Sequence, residues 1–162
     1  MRVKTIIDED FVNYKEPSMF IGCISCGGKC AIDGDFDISV CQNDAWRNAE
    51  VIEVDDNALI DRYVANGISK SIVFGLLEPF EQFKELYDFI NTLRNKRRIN
   101  DTVVIYTGYE KDEIEEPVAL LKHIGKNIIV KFGRFRLGDK PHFDPVLGVA
   151  LASNNQYAEY IS

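Results

Sequence analysis

Four short runs of apolar, often β-branched residues recur along the chain, at 18–24, 70–75, 102–106 and 127–132. This recurrence is what most restricts the fold. Thr102-Val103-Val104-Ile105-Tyr106 is near-continuously apolar, as a strand buried on both faces of a parallel sheet must be. Helical patterns separate the later runs. Asp55 is placed to cap a helix through Ala65, with Leu59, Ile60, Tyr63 and Val64 on one face. Gly67 is expected to end it as a left-handed residue. Pro79 suits the first position of a long helix, and Phe83, Leu86, Tyr87, Ile90 and Leu93 keep its period. Another helix is interrupted or restarted at Pro117 and stops before Gly125. Strand and helix in alternation argue for βαβ units and a mostly parallel sheet.

The expected fold class is therefore α/β, an open partial (βα) barrel of four to six parallel strands with helices on the outer face. The 162 residues fall well short of the roughly 250 of a closed eight-unit barrel. No linker or repeat divides the chain, so residues 1–162 read as a single domain. Residues 1–16 are mixed and polar and read as a lead-in. Residues 146–152 read as a last strand.

All four cysteines fall between positions 23 and 41, separated by two, three and ten residues. Such clustering suits a soft metal or an iron–sulfur centre better than scattered core packing. Four thiolates holding zinc are the alternative, but only the first spacing matches a zinc ribbon and no second close pair follows. Small buried core thiols and disulfides are further readings; nothing indicates an oxidising compartment. Asp33, Asp35 and Asp37 alternate like a calcium loop, but the glycine is misplaced and no Glu closes it, so a solvated turn is expected.

Charge and hydropathy remove some partners. A net charge of −7 and a pI near 4.9 do not suit a general nucleic-acid binder. The run Arg94-Asn95-Lys96-Arg97-Arg98 reads as a solvated helix end. No stretch approaches 18 apolar residues, so no membrane association is expected and the location is read as cytoplasmic. His123 and His142 lack the company that would make them ligands, and Trp46 reads as packing under the cysteine loop. Arg134 and Arg136 read as meeting a partner or as solvated.

In parallel sheets of this kind a ligand lies beyond the carboxyl ends of the strands. The cysteine loop, residues 75–79 and Thr107-Gly108-Tyr109 all follow such ends and should converge on one site.

Several of these stretches carry a family likeness. Cys26-Gly27-Gly28-Lys29-Cys30 looks like the first half of a C-x3-C-x2-C motif. Cys41-Gln42-Asn43 with Trp46 looks like its third cysteine with the Asn and Trp beyond it. Ile72 to Pro79 sits where a strand ends in Gly-Gly-Asp/Glu-Pro. Val104 to Tyr109 is similar to a strand with Thr-Gly-Tyr, and Ser153-Asn154-Asn155-Gln156 to a Ser-Asn-Gln signature. In this order, across residues 20–156, the chain resembles the small radical S-adenosylmethionine activases, most closely those of anaerobic ribonucleotide reductase. Two departures stand out. The last cysteine gap holds ten residues rather than two, and Leu76-Leu77 replaces the glycine pair.

The resemblance implies a [4Fe-4S] cluster held by Cys26, Cys30 and Cys41, with Cys23 spare. It implies S-adenosylmethionine as cofactor, with Glu78 on its ammonium group and Gly75, Thr107 and Gly108 lining the pocket. No side chain is expected to act as catalytic acid, base or nucleophile. The implied reaction is formation of a 5′-deoxyadenosyl radical that takes a hydrogen from a glycine of a partner. That partner would be a glycyl radical enzyme such as the large subunit of anaerobic ribonucleotide reductase, with a flavodoxin-type electron donor. The other function class is a non-catalytic protein whose four cysteines hold zinc.

Overall fold

The computed structural model describes all residues, 1–162. The elements, in order, are β1 (Arg2–Val3), β2 (Thr5–Asp10), β3 (Ser18–Gly22), α1 (Lys29–Gly34), α2 (Asp44–Arg47), β4 (Ile52–Glu53), α3 (Asp56–Ala65) and β5 (Ser71–Gly75). They continue with α4 (Phe83–Asn91), β6 (Thr102–Tyr106), α5 (Glu115–Ile124), β7 (Ile128–Phe132), β8 (His142–Asp144), β9 (Val149–Leu151) and β10 (Tyr157–Tyr160).

One six-stranded sheet, in the order β10-β7-β6-β5-β3-β2, organises the chain. Its four central strands, β3, β5, β6 and β7, pair in parallel. Both edge strands are antiparallel, β2 on β3 and β10 on β7. Side chains alternate across the pleat. Met19, Ile21, Ile72, Phe74, Val103, Ile105, Ile128 and Val130 join a cluster of 24 buried residues. Leu59, Ile60 and Tyr63 of α3, Leu86, Phe89 and Ile90 of α4, and Val118, Leu121 and Ile124 of α5 complete it. Phe20, Val73, Val104 and Ile129 point the other way, into a cluster of eight with Tyr14, Leu147, Leu151 and Ala158. The three long helices thus pack on one face of the sheet, and the β8–β9 segment helps cover the other.

Asp55 caps α3 as expected, its side chain accepting the Ala58 N–H at 3.0 Å. Several expectations are corrected. Residues 1–16 are not a lead-in: β1 pairs with β4 and β2 forms an edge of the main sheet. Gly67 does not take the left-handed conformation. Asn66 makes the turn instead, its Oδ1 accepting the N–H groups of Ile68 and Ser69 at 2.7 and 3.0 Å. Pro79 starts a 3-10 turn, Pro79–Gln82, and α4 begins only at Phe83. Gln82 is held to the sheet, accepting from Ile24 N at 2.7 Å and donating to Arg2 O at 3.1 Å, which breaks the helical line.

The basic run is not wholly solvated. Arg94 is buried and donates to the carbonyls of Lys126, Ile99 and Asp101 at 3.2, 2.7 and 2.8 Å. Gly125 leaves room for it: a Cβ there would lie 2.9 Å from the Arg94 side chain. The last strand of the main sheet is β10; β9 belongs to a two-stranded ribbon with β8.

Candidate metal centre

The cysteine loop leaves β3 at the carboxyl edge of the sheet. Cys23 continues the ladder by one residue, its N–H donating to Gly75 O at 2.9 Å. Its side chain is fully buried in the large apolar cluster, and burial pushes its thiol far above the ordinary range. A four-thiolate zinc site would need this sulfur, which faces the core instead.

Cys26 and Cys30 are half-buried and unpaired. The turn between them needs Gly28, which is left-handed at φ 73° and starts α1. Gly28 N–H donates to Cys26 Sγ at 3.4 Å. Burial still pushes both thiols up. Cys41 lies at the end of the ten-residue excursion, after a 3-10 turn over Ile38–Val40. That excursion folds back on the loop. A Cβ on Gly28 would lie 3.1 Å from Ile38 Cδ1, and Arg47 Nη1 donates to Cys26 O at 2.8 Å. The excursion that leads to Cys41 thus meets the Cys26–Cys30 turn, but no three His, Cys, Asp or Glu side chains stand close enough to hold a metal ion as they are.

Glu78, Thr107 and Gly108 form a tight unit beside Cys30. Glu78 is buried, at 7% exposure. Its carboxylate accepts from Thr107 Oγ1 at 2.7 Å, Gly108 N at 2.8 Å and Phe80 N at 3.1 Å. Burial raises its pKa, and these three donors only partly oppose that. A Cβ on Gly108 would meet Cys30 Sγ at 3.1 Å and Glu78 Oε2 at 3.6 Å, so the glycine is what lets the sulfur and the carboxylate approach. Gly75 packs between Phe20 and the Cβ of Tyr106 at the end of β5, and its carbonyl also accepts Leu77 N–H at 3.0 Å.

Two residues near this unit carry no site signal in the sequence. Lys131, at the end of β7, is buried and donates to Gly133 O and Thr107 O at 2.9 and 3.3 Å. Burial pushes its pKa down to about 8, opposed by the charges of Cys30, Glu78 and Glu110. Glu81 holds the other end of the loop through Ser25 Oγ at 2.8 Å and Gly27 N at 2.5 Å. A lysine inside a strand and a glutamate in a first helical turn are ordinary in any sequence. Trp46, expected under the loop, is 37% exposed. His123 is exposed, and His142 lies in β8, away from the cysteine loop in sequence. Ser153 and Gln156 brace the loop after β7: Ser153 Oγ accepts Arg136 N at 2.8 Å and Gln156 Nε2 donates to Gly133 O at 3.3 Å.

A family model matches residues 28–145, described as a 4Fe-4S single cluster domain. The chain belongs to this family. The match covers most of the chain and includes Cys30 and Cys41, while Cys26 lies just ahead of it. No curated protein and no solved structure matches the chain. A single-cluster family makes this an iron–sulfur protein and favours iron over zinc at the cysteine loop. The donor chemistry fits: Cys26 and Cys30 are half-buried free thiols, and Cys26 Sγ receives the Gly28 N–H, the kind of contact by which proteins tune cluster-bound sulfur. No helix is long and apolar enough to cross a membrane.

Proposed function

We propose that the chain is a radical S-adenosylmethionine enzyme that activates a glycyl radical partner, with anaerobic ribonucleotide reductase as the partner of choice. The observation that carries this reading is the buried Glu78 carboxylate, fixed by Thr107 and Gly108 immediately beside the Cys30 sulfur. Cys26, Cys30 and Cys41 would hold the cluster, leaving one iron open, and Cys41 joins the set as the 31–40 excursion closes on Gly28. When bound, the cluster and S-adenosylmethionine together supply a 5′-deoxyadenosyl radical, which takes a hydrogen from a glycine of the partner.

The chain's own residues bind and orient. Glu78 has a raised pKa when alone, and an incoming ammonium would restore its charged form by a charge-assisted hydrogen bond. Gly108 and Gly75 keep side chains out of the space, and Thr107 fixes the carboxylate's orientation. The wider reading includes a cytoplasmic enzyme, a flavodoxin-type electron donor, and a sheet that forms the wall of an open partial barrel with its helices outside. All of it falls within one domain.

Anaerobic reconstitution with iron and sulfide, followed by addition of S-adenosylmethionine and a reductant, tests the reading. A brown protein that forms 5′-deoxyadenosine is expected. A protein that takes up a cluster yet leaves the cofactor uncleaved would overturn the radical reading while leaving the iron–sulfur assignment in place.

A further inference from the structure

Arg134 follows β7 and is only 8% exposed, in an acidic protein where arginines are usually solvated. Its guanidinium meets carboxylates from two segments that are far apart in sequence. Nε lies 2.6 Å from Asp33 Oδ2 on α1, an ion contact whose angle falls short of a hydrogen bond. Nη2 donates to Glu113 Oε1 at 2.5 Å, and Nη1 lies 3.8 Å from Glu110 Oε1, both in the segment after β6. Lys29, also on α1, closes the ring at 3.3 Å from Asp33 and 3.5 Å from Glu113. The planar fork of arginine presents five donors in fixed directions, where a lysine offers a flexible point charge.

The next residue extends the same grip. The Phe135 ring meets Phe36, just beyond α1, edge-on at 5.8 Å. Asn155 Nδ2 in turn donates to Arg134 O at 3.1 Å and fixes the backbone of this corner. The first half of the cysteine loop has a separate holder, since Glu81 binds Ser25 and Gly27. Each end of the Cys26–Cys30 turn is thus tied to a different part of the sheet edge.

We propose that Arg134 is a positioning residue for Cys30: it pins the cysteine helix α1 to the loops after β6 and β7 and so keeps the Cys30 sulfur in its place against Gly108. Isolated ion pairs on open surface contribute little, but here the arginine side chain is only 10% exposed and faces a network of carboxylates. The consequence for a bound cluster rests on the function proposed above; the positioning itself does not, and it is measured without metal.

The test is site-resolved alkylation of the metal-free protein, read by mass spectrometry, in wild type, Arg134→Ala, Arg134→Lys and Asp33→Asn. Arg62→Ala serves as control, since it removes a bidentate pair with Asp8, outside the Arg134 network. Arg134→Ala should raise the Cys30 rate several-fold relative to Cys26 and Cys41. Asp33→Asn should do so more weakly, Arg134→Lys should restore part of the protection, and Arg62→Ala should change nothing. If Arg134→Ala fails to fold, Asp33→Asn on an exposed helix face decides the matter. An unchanged Cys30 rate in the folded variants, or equal acceleration of Cys26 and Cys30, would overturn the proposal.

Discussion

Gly108 donates its backbone N–H to Glu78 Oε2 at 2.8 Å, so the residue after β5 and the residue after β6 act as one unit. Both follow the carboxyl ends of adjacent parallel strands, which is why 30 residues of separation in sequence become one hydrogen bond.

Glu78→Gln should weaken S-adenosylmethionine binding while leaving the cluster's absorbance intact. The amide replaces a charged acceptor with a neutral one, a loss of about 1.5–3 kcal/mol, or roughly tenfold to a hundredfold in affinity. Calorimetry under anaerobic conditions measures it, and unchanged affinity rejects the assigned role.

The four cysteines should separate into two classes. Cys26→Ser, Cys30→Ser and Cys41→Ser are each expected to abolish the visible absorbance and the reduced-state EPR signal of the reconstituted protein. Cys23→Ser should keep both, because its sulfur is buried in the apolar cluster. Equal loss in Cys23→Ser would mean that protein fills the fourth position, and the radical mechanism would fall.

Gly108→Ala places a methyl group 3.1 Å from Cys30 Sγ. Either the sulfur or the β6 loop must shift, at a cost of about 1–3 kcal/mol typical of an overfilled site. A lower urea midpoint without metal and fewer iron atoms per chain after reconstitution are expected. A variant equal to wild type in both would show that Cys30 does not need this place.

Acid should loosen the Arg134 network at a defined point. Hydrogen bonding to Arg134 holds the Glu113 carboxyl down at about 2, from an ordinary 4.5. A carboxyl lowered in the folded state contributes stability that is fully present above its unfolded value and is lost as pH falls towards the folded one. The window is therefore pH 4.5 down to about 2. In Glu113→Gln, urea midpoints of the metal-free protein should fall less steeply through that window than in wild type. Parallel curves would count against the contact.

Sequence legibility follows burial. β3, β5, β6 and β7 are buried along nearly their whole length, so their apolar runs stand out. The edge strands carry sequences such as Thr-Ile-Ile-Asp-Glu-Asp and Tyr-Ala-Glu-Tyr, whose polar residues match a half-exposed strand and a loop equally well. The cysteine loop is visible by composition alone. The groups that hold it are not, because Glu81, Lys131 and Arg134 acquire meaning only from neighbours that are distant in sequence. Leu76 is instructive: the family resemblance leads one to expect glycine there, and the leucine takes φ 72°, the left-handed form that glycine adopts freely.

The strands of the main sheet lie side by side in the order in which the chain runs, from β2 to β10. During synthesis each strand can therefore dock on one already made, and domains fold as units as the chain emerges. The thiols, all made by residue 41, precede the distant groups that hold their loop: Glu78 and Glu81, then Gly108, and last Arg134. A nascent chain thus carries its cysteines long before it has a place for them. Iron loading is therefore expected after the seventh strand is in place, with the thiols of a ribosome-bound intermediate kept reduced until then.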